Sequence, residues 1–361
     1  MTGTDTTTTA AIDEAKFEEF LERCFADLGA VMHAATVLIG DRLGLYKAMS
    51  DSRWITPEQL AARTGTDLRY VREWLSAQAA SGYADYDAAS GRFRLGPEQA
   101  LALTSEDNPF FAPGGLQAAA STLADLGLIS DAFRSGRGVA WGDHHPDLME
   151  GTLRFFRTNY LAHLTQYWLP ALDGVEDKLR AGTTVGDIGC GGGASTIIMA
   201  KAFPASSFFG FDYHEESIAK ARKSAAEADV TDRCTFEVAT AKDYPGTHYG
   251  LVTVFDALHD MGDPTGAAAH VLDTLAPDGT WMIVEPFAHD SLEDNLNPVG
   301  RIFYSASTTI CLPMSRAQEV DAGLGAQAGE TRLRRVVTAG GFTRFRRVAQ
   351  TPFNLVFEAR P

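Results

Sequence analysis

The chain has 361 residues, 45% of them hydrophobic, and carries 47 acidic against 31 basic side chains for a formal net charge of −16. That length allows two domains with substantial cores. The acidic balance argues against nucleic acid as the main partner, because duplex binding uses Lys and Arg to neutralise phosphates. Cys24, Cys190, Cys234 and Cys311 stand far apart with no CxxC pair. They suggest neither a metal cluster nor a disulfide framework, no metal is expected, and reduced thiols suit a cytoplasmic setting.

Met1 to Ala10 is Thr-rich, with neither a basic nor an apolar region of the kind a signal peptide needs. Residues 1–14 are expected to be a disordered tail. No apolar run approaches the roughly 20 residues that span a bilayer, so no membrane partner is expected. From Phe17 to Met49 apolar residues recur at helical spacing, with Phe17, Phe20, Leu21, Phe25, Leu28, Val31 and Met32 in one stripe. Such a face must pack on the same chain or on a second copy. Thr56-Pro57 then reads as an N-cap and first helical position. A turn at Gly65-Thr66-Asp67 leads to a helix over Leu68–Ala80, and Tyr83–Tyr86 and Arg92–Leu95 read as two short strands. Helix, turn, helix and hairpin make a winged helix, which places one domain over residues 15–108.

Residues 109–179 read as a mainly helical linker and lid. From 180 to 361 the pattern changes to short β-rich runs at Val185–Ile188, Ser207–Phe211, Thr235–Val238, Leu251–Phe255 and Trp281–Val284, alternating with helices such as Glu216–Ala228 and Thr265–Leu275. That alternation predicts an α/β fold with a doubly wound parallel sheet. Leu275 to Gly279 reads as a turn before the fifth strand. Two adjacent runs, Phe342–Ala349 and Phe353–Ala359, can add an antiparallel pair at the sheet edge.

Chemistry gathers at the strand ends, where ligands of open α/β sheets bind. Asp187-Ile188-Gly189-Cys190-Gly191-Gly192-Gly193 takes a strand through an acid into glycines and then a helix. Gly189, Gly191 and Ala194 fit the dinucleotide pattern G-x-G-x-x-A, a weak signal alone. Against it, Asp187 would meet a pyrophosphate with a like charge, whereas the ammonium of S-adenosylmethionine (SAM) tolerates a carboxylate. Asp212, ending the second strand, can accept ribose hydroxyls or cap the next helix, and Tyr213 follows it. Ala241 and Lys242 lie in the loop after the third strand, where an adenine would sit. Phe255 and Asp256 end the fourth strand and lead to His259-Asp260, where a histidine can accept a substrate proton or simply bond a neighbouring loop. Glu285 ends the fifth strand and can hold that ring or bind substrate.

Together, Asp187 to Gly193, Asp212, His259-Asp260 and Leu275 to Gly279 resemble the class I SAM-dependent methyltransferases. The winged helix in front is similar to the dimerisation domain of plant and bacterial small-molecule O-methyltransferases. The resemblance implies a Rossmann-like, doubly wound seven-stranded sheet, a homodimer, SAM as cofactor and S-adenosylhomocysteine as product. It also implies cofactor contacts from Asp187, Gly189, Cys190, Gly191, Asp212, Tyr213, Ala241, Lys242, Phe255 and Asp256. Catalysis would fall to His259, Asp260 and Glu285, although Met261 stands where that family keeps a Trp. Phe156, Tyr160, His163, Tyr167, Phe303 and Tyr304 could line a pocket for a flat hydrophobic acceptor, the last two from an insert at about 287–330, or could be ordinary core. The competing reading is a ligand-sensing regulator with its winged helix on DNA. Its second helix, however, offers Asp67 and Glu73 beside Arg69 and Arg72. The sequence does not name the acceptor.

Overall fold

The computed structural model describes residues 12–109 and 111–361. The expected disorder of the first residues falls largely outside them. The chain divides into two compact units between Thr104 and Ser105.

The first unit opens with a helix over Glu14–Arg42, capped by Asp13, followed by a short turn of helix at Leu45–Ala48. Thr56 caps the helix Pro57–Thr64 through a reciprocal capping box with Gln59. Gly65, in the left-handed region, turns the chain into Leu68–Ala80. Strands β1 (Asp85–Asp87) and β2 (Arg92–Arg94) pair antiparallel as the wing. The C-terminal half of the first helix packs on Leu68–Ala80. Gly40 lies under the Trp74 ring, where a Cβ would come within 2.5 Å, and the Trp74 indole N–H donates to the Thr36 carbonyl. Gln78, fully buried, accepts from the Tyr46 hydroxyl at 2.6 Å and donates to Thr36 Oγ1. Within this unit the same helix carries Phe17, Phe20, Phe25, Leu28, Val31 and Met32 more than half exposed. By length and composition alone, and against the expectation of no such run, the helix Glu14–Arg42 is apolar enough to cross a membrane.

The second unit holds helices at Ala112–Ala124, Leu126–Ser135 and Pro146–His163, then a seven-stranded sheet. Its strands are β3 (Thr184–Ile188), β4 (Ser207–Asp212), β5 (Cys234–Val238), β6 (Tyr249–Phe255), β7 (Leu275–Pro286), β8 (Arg344–Gln350) and β9 (Asn354–Arg360). Their order is β5-β4-β3-β6-β7-β9-β8. The first five run parallel, and β9 pairs antiparallel with both β7 and β8. The order reverses beside β3, which sets the topological switch point between β3 and β6. The β8–β9 hairpin is the expected antiparallel pair at the sheet edge, with β9 against β7 and β8 outermost. Leu275 pairs with Tyr249 and Thr280 with Leu251, so Ala276 to Gly279 bulge out ahead of the continuous run of β7, where a turn was expected.

Strands covered on both faces read as continuous apolar runs, and Trp281-Met282-Ile283-Val284 is fully buried. Met282 and Val284 join one core with Trp168, Phe208 and Ile218, while Trp281 and Ile283 join the other with Phe211, Tyr244 and Phe357. The Arg-rich C-terminal segment is a solvated face with acidic partners: Arg334 and Arg347 pair with Glu330, and Arg346 with Glu358.

Candidate active site

The glycine loop between β3 and the helix Ala194–Ala202 is bound to β4, since the backbone N–H groups of Gly189 and Cys190 both donate to the Phe211 carbonyl. Close packing demands glycine at two positions. A Cβ on Gly193, whose φ is +77°, would come within 2.8 Å of the Phe236 ring, and one on Gly210 within 2.5 Å of the same ring. Asp187 is buried under this loop. Its Oδ2 accepts from Ser195 and Thr196 at 2.7 and 2.6 Å, and its Oδ1 from Thr253 at 2.9 Å. Asp187 thus clamps β3, the following helix and β6 together. Burial pushes its pKa up against the pull of those three hydroxyls. The positions of Ser195, Thr196 and Thr253 gave no distinctive sequence signal.

Asp212 stands at the end of β4 and accepts backbone N–H groups from Gly191 at Oδ2 and His214 at Oδ1, both at 2.9 Å. The cap of the next helix is His214, whose ring accepts from Ser217 N, so Asp212 is not spent on capping. Burial raises its pKa. Cys190 is buried, and its thiol is pushed well up by desolvation. Tyr213 is partly exposed beside Asp212. Ala241 packs at the edge of the core, and Lys242 is held by ion pairs with Asp263 and Glu319.

Across the switch point, the ends of β6 and β7 bring together a compact polar group. Glu285 Oε2 accepts from Nδ1 of His259 at 2.6 Å, and its Oε1 from the backbone N–H of Leu258 at 3.0 Å. His259 Nε2 lies 3.1 Å from Asp260 Oδ1. Burial pushes the pKa of His259 down, but the Asp260 and Glu285 carboxylates outweigh it and hold the ring well above its usual value. Burial raises Asp260 in turn, offset by His259. Asp256 adopts φ +49°, uncommon for a residue with a side chain. Its carboxylate accepts from Asn354 Nδ2 at 2.8 Å and from the Tyr160 hydroxyl at 3.3 Å, and burial next to Glu285 drives its pKa well up. Met261, in the position of the expected Trp, packs beside Gly189.

Tyr160 reaches this centre from the helix Pro146–His163 and packs on Phe255 at 5.1 Å and Phe156 at 6.1 Å between ring centres. His163 stacks on Trp168, and Tyr167 is exposed rather than drawn inward. Phe303 is buried against Phe353, and Tyr304 is half-buried. Cys311 was not singled out by sequence. It arrives from a π-helical turn at Ser307–Cys311 and touches His259 and Asp260.

Known proteins share this fold. Residues 179–322 match the family described as methyltransferase domain, and residues 31–105 match the Rv2258c-like winged HTH domain. The 27-O-demethylrifamycin SV methyltransferase of Amycolatopsis mediterranei is 29% identical over 223 residues, 57% of this chain and 75% of that one. Human N-acetylserotonin methyltransferase, solved with SAM, shares the fold at a TM-score of 0.69 and 16% identity, covering 98% of this chain and 99% of that one. An O-methyltransferase family protein from Burkholderia thailandensis does so at 0.67 and 16%, covering 97% and 99%. These relatives lend no support to the regulator alternative. In the winged helix, moreover, Arg69 and Arg72 are paired with Glu73 and Glu58. The chain is a SAM-dependent methyltransferase whose methyltransferase domain follows a winged helix domain.

Proposed function

We propose that the protein transfers the methyl group of SAM to a hydroxyl of a small, hydrophobic or aromatic metabolite. One observation carries this reading: two polar clusters face each other at the switch point. The glycine loop and Asp212 form one of them, joined by the Gly191 N–H on Asp212, and His259, Asp260 and Glu285 form a buried acid–base group as the other. SAM would lie along Gly189, Cys190 and Gly191, its ribose on Asp212 and its adenine beside Tyr213, Ala241 and Lys242. Asp187 would support the loop from beneath, and Phe255 and Asp256 would close the methionine end.

The acceptor would enter beside Phe156, Tyr160 and His163, with Phe303, Tyr304 and Tyr167 farther out. Its oxygen attacks the sulfonium methyl in line, the carbon–sulfur bond breaks with its electron pair passing to sulfur, and the hydroxyl proton leaves to the His259–Asp260 pair. A named relative that methylates a rifamycin hydroxyl favours a hydroxylated, largely apolar acceptor of the polyketide kind. Position and exclusion of water supply much of the rate.

The exposed apolar stripe from Phe17 to Met32 would pair with a second copy, making the working enzyme a homodimer. Four free cysteines suit the reducing cytoplasm. Turnover of methyl-labelled SAM against phenols, amines and thiols tests the reading: labelled ether with equimolar S-adenosylhomocysteine is expected. Label found only on nitrogen or sulfur overturns it.

A further inference from the structure

We propose that His144, oriented by Asp125, binds a second hydroxyl of the acceptor, one beside the hydroxyl that is methylated. His144 is 7% exposed, and its Nδ1 lies 2.9 Å from Asp125 Oδ2. Asp125 also accepts the backbone N–H of His145 at 3.1 Å, so one carboxylate holds both the ring and the chain beside it. Because the carboxylate accepts, the ring proton stands on Nδ1, and the uncharged ring presents the Nε2 lone pair on its far edge. That Nε2 is buried with no hydrogen-bond partner among the described residues. A buried polar atom in this state calls for a partner from outside the chain.

The path of the chain carries His144 across the crevice. Residues 139–150 bridge the segment after Cys311 and the end of β4. The Val139 N–H donates to the Pro313 carbonyl at 2.9 Å. The Pro313 segment is itself fastened to the His259 loop, since Ser315 Oγ donates to the Met261 carbonyl and Gln318 Nε2 to the Asp260 carbonyl, both at 2.9 Å. Farther along, Trp141 bonds the Tyr213 hydroxyl through its backbone, and a Cβ on Gly142 would come within 3.2 Å of His214 Nε2. Glu150 then pairs with Lys220. Since β3 lies between β4 and β6, this strap spans the switch point. His144 stands on it near enough for its charge to act on Asp260.

The proposed function leaves this nitrogen to the acceptor. The ribose of SAM meets Asp212, its methionine end meets the glycine loop, and the reacting hydroxyl gives its proton to the His259–Asp260 pair. The acceptor's other walls are the rings of Phe156 and Tyr160. In such a lining one placed polar atom fixes orientation and selects the ligand. A lone pair takes an O–H donor and rejects an analogue that lacks it, because the buried nitrogen then stays unpaired. The acceptor class this favours is an aromatic with two neighbouring hydroxyls rather than one.

The inference deepens the proposed function and rests on it for the reaction, but acceptor binding needs no turnover. In the test, the full chain saturated with S-adenosylhomocysteine is titrated calorimetrically with catechol, resorcinol and phenol. The same compounds are then offered with methyl-labelled SAM. The unaltered protein is expected to prefer a diphenol to phenol in both measurements. His144→Phe keeps a ring and removes the lone pair, and should lower that preference by about 10–100-fold. His144→Gln, which can place an amide oxygen near the Nε2 position, should restore part of it. Circular dichroism and SAM affinity check that each variant is folded. No preference in the unaltered protein, no binding of either diphenol, or a preference that survives in a folded His144→Phe protein overturns the inference. Diphenol binding that weakens in His144→Phe, with label found only on nitrogen or sulfur acceptors, keeps the contact and removes the proposed function. Ether formation with an unchanged preference does the reverse.

Discussion

Glu285 joins the end of β7 to the loop after β6 with both carboxylate oxygens, one on Nδ1 of His259 at 2.6 Å and the other on Leu258 N at 3.0 Å. The bond fixes the face that His259 turns to the crevice. His259→Gln should therefore cost methyl transfer a factor of about 10²–10⁴, the usual worth of proton transfer by a positioned group. SAM affinity should stay nearly constant. Turnover kinetics beside calorimetry separates the two, and a variant that loses SAM binding instead would move His259 to the cofactor site.

Asp212 makes a prediction about the cofactor alone. Asp212→Ala should weaken SAM by about 1–3 kcal/mol, because ribose hydroxyls lose their acceptor. Burial raises the Asp212 pKa. The acceptor must be charged, so SAM affinity should fall as pH drops, and the fall should begin at a higher pH than an ordinary aspartate would give. Calorimetric titration across pH checks both, and an affinity flat down to the usual aspartate range would contradict the second.

Thr253 tests the clamp under the glycine loop. Thr253→Val keeps the shape but leaves Asp187 Oδ1 without the hydroxyl at 2.9 Å. A buried acceptor left unsatisfied costs about 1–3 kcal/mol. A lower denaturant midpoint at unchanged slope is the expected result.

The apolar stripe of the first helix predicts assembly. Phe20 and Phe25 are 61% and 69% exposed within their unit. Phe20→Glu with Phe25→Glu should convert a dimer to a monomer by light scattering. A monomeric unaltered protein would end the proposal.

Much of this architecture was legible in the sequence. The 68–80 helix is present over those residues, and the glycine loop, Asp212 and the histidine pair could be read because strand, acid and glycine occupy consecutive positions. Legibility failed where partners come from distant segments. Asp187 reads as a ligand contact, yet its carboxylate is occupied by Ser195, Thr196 and Thr253, the last of them 66 residues away. Asn354 on Asp256 and Cys311 on His259 are likewise products of chain crossing. Leu275 to Gly279 reads as a turn because Pro277, Asp278 and Gly279 are turn residues, and the register with β6 passes from Leu275 on Tyr249 directly to Thr280 on Leu251, so Ala276 to Gly279 loop out between them.

Methyl transfer from SAM to a hydroxyl is decided by incubating the full chain with methyl-labelled SAM and a panel of phenols, polyketide alcohols, amines and thiols, then locating the label by mass spectrometry. Labelled methyl ether and one S-adenosylhomocysteine for each are expected. Label confined to nitrogen or sulfur acceptors would contradict it.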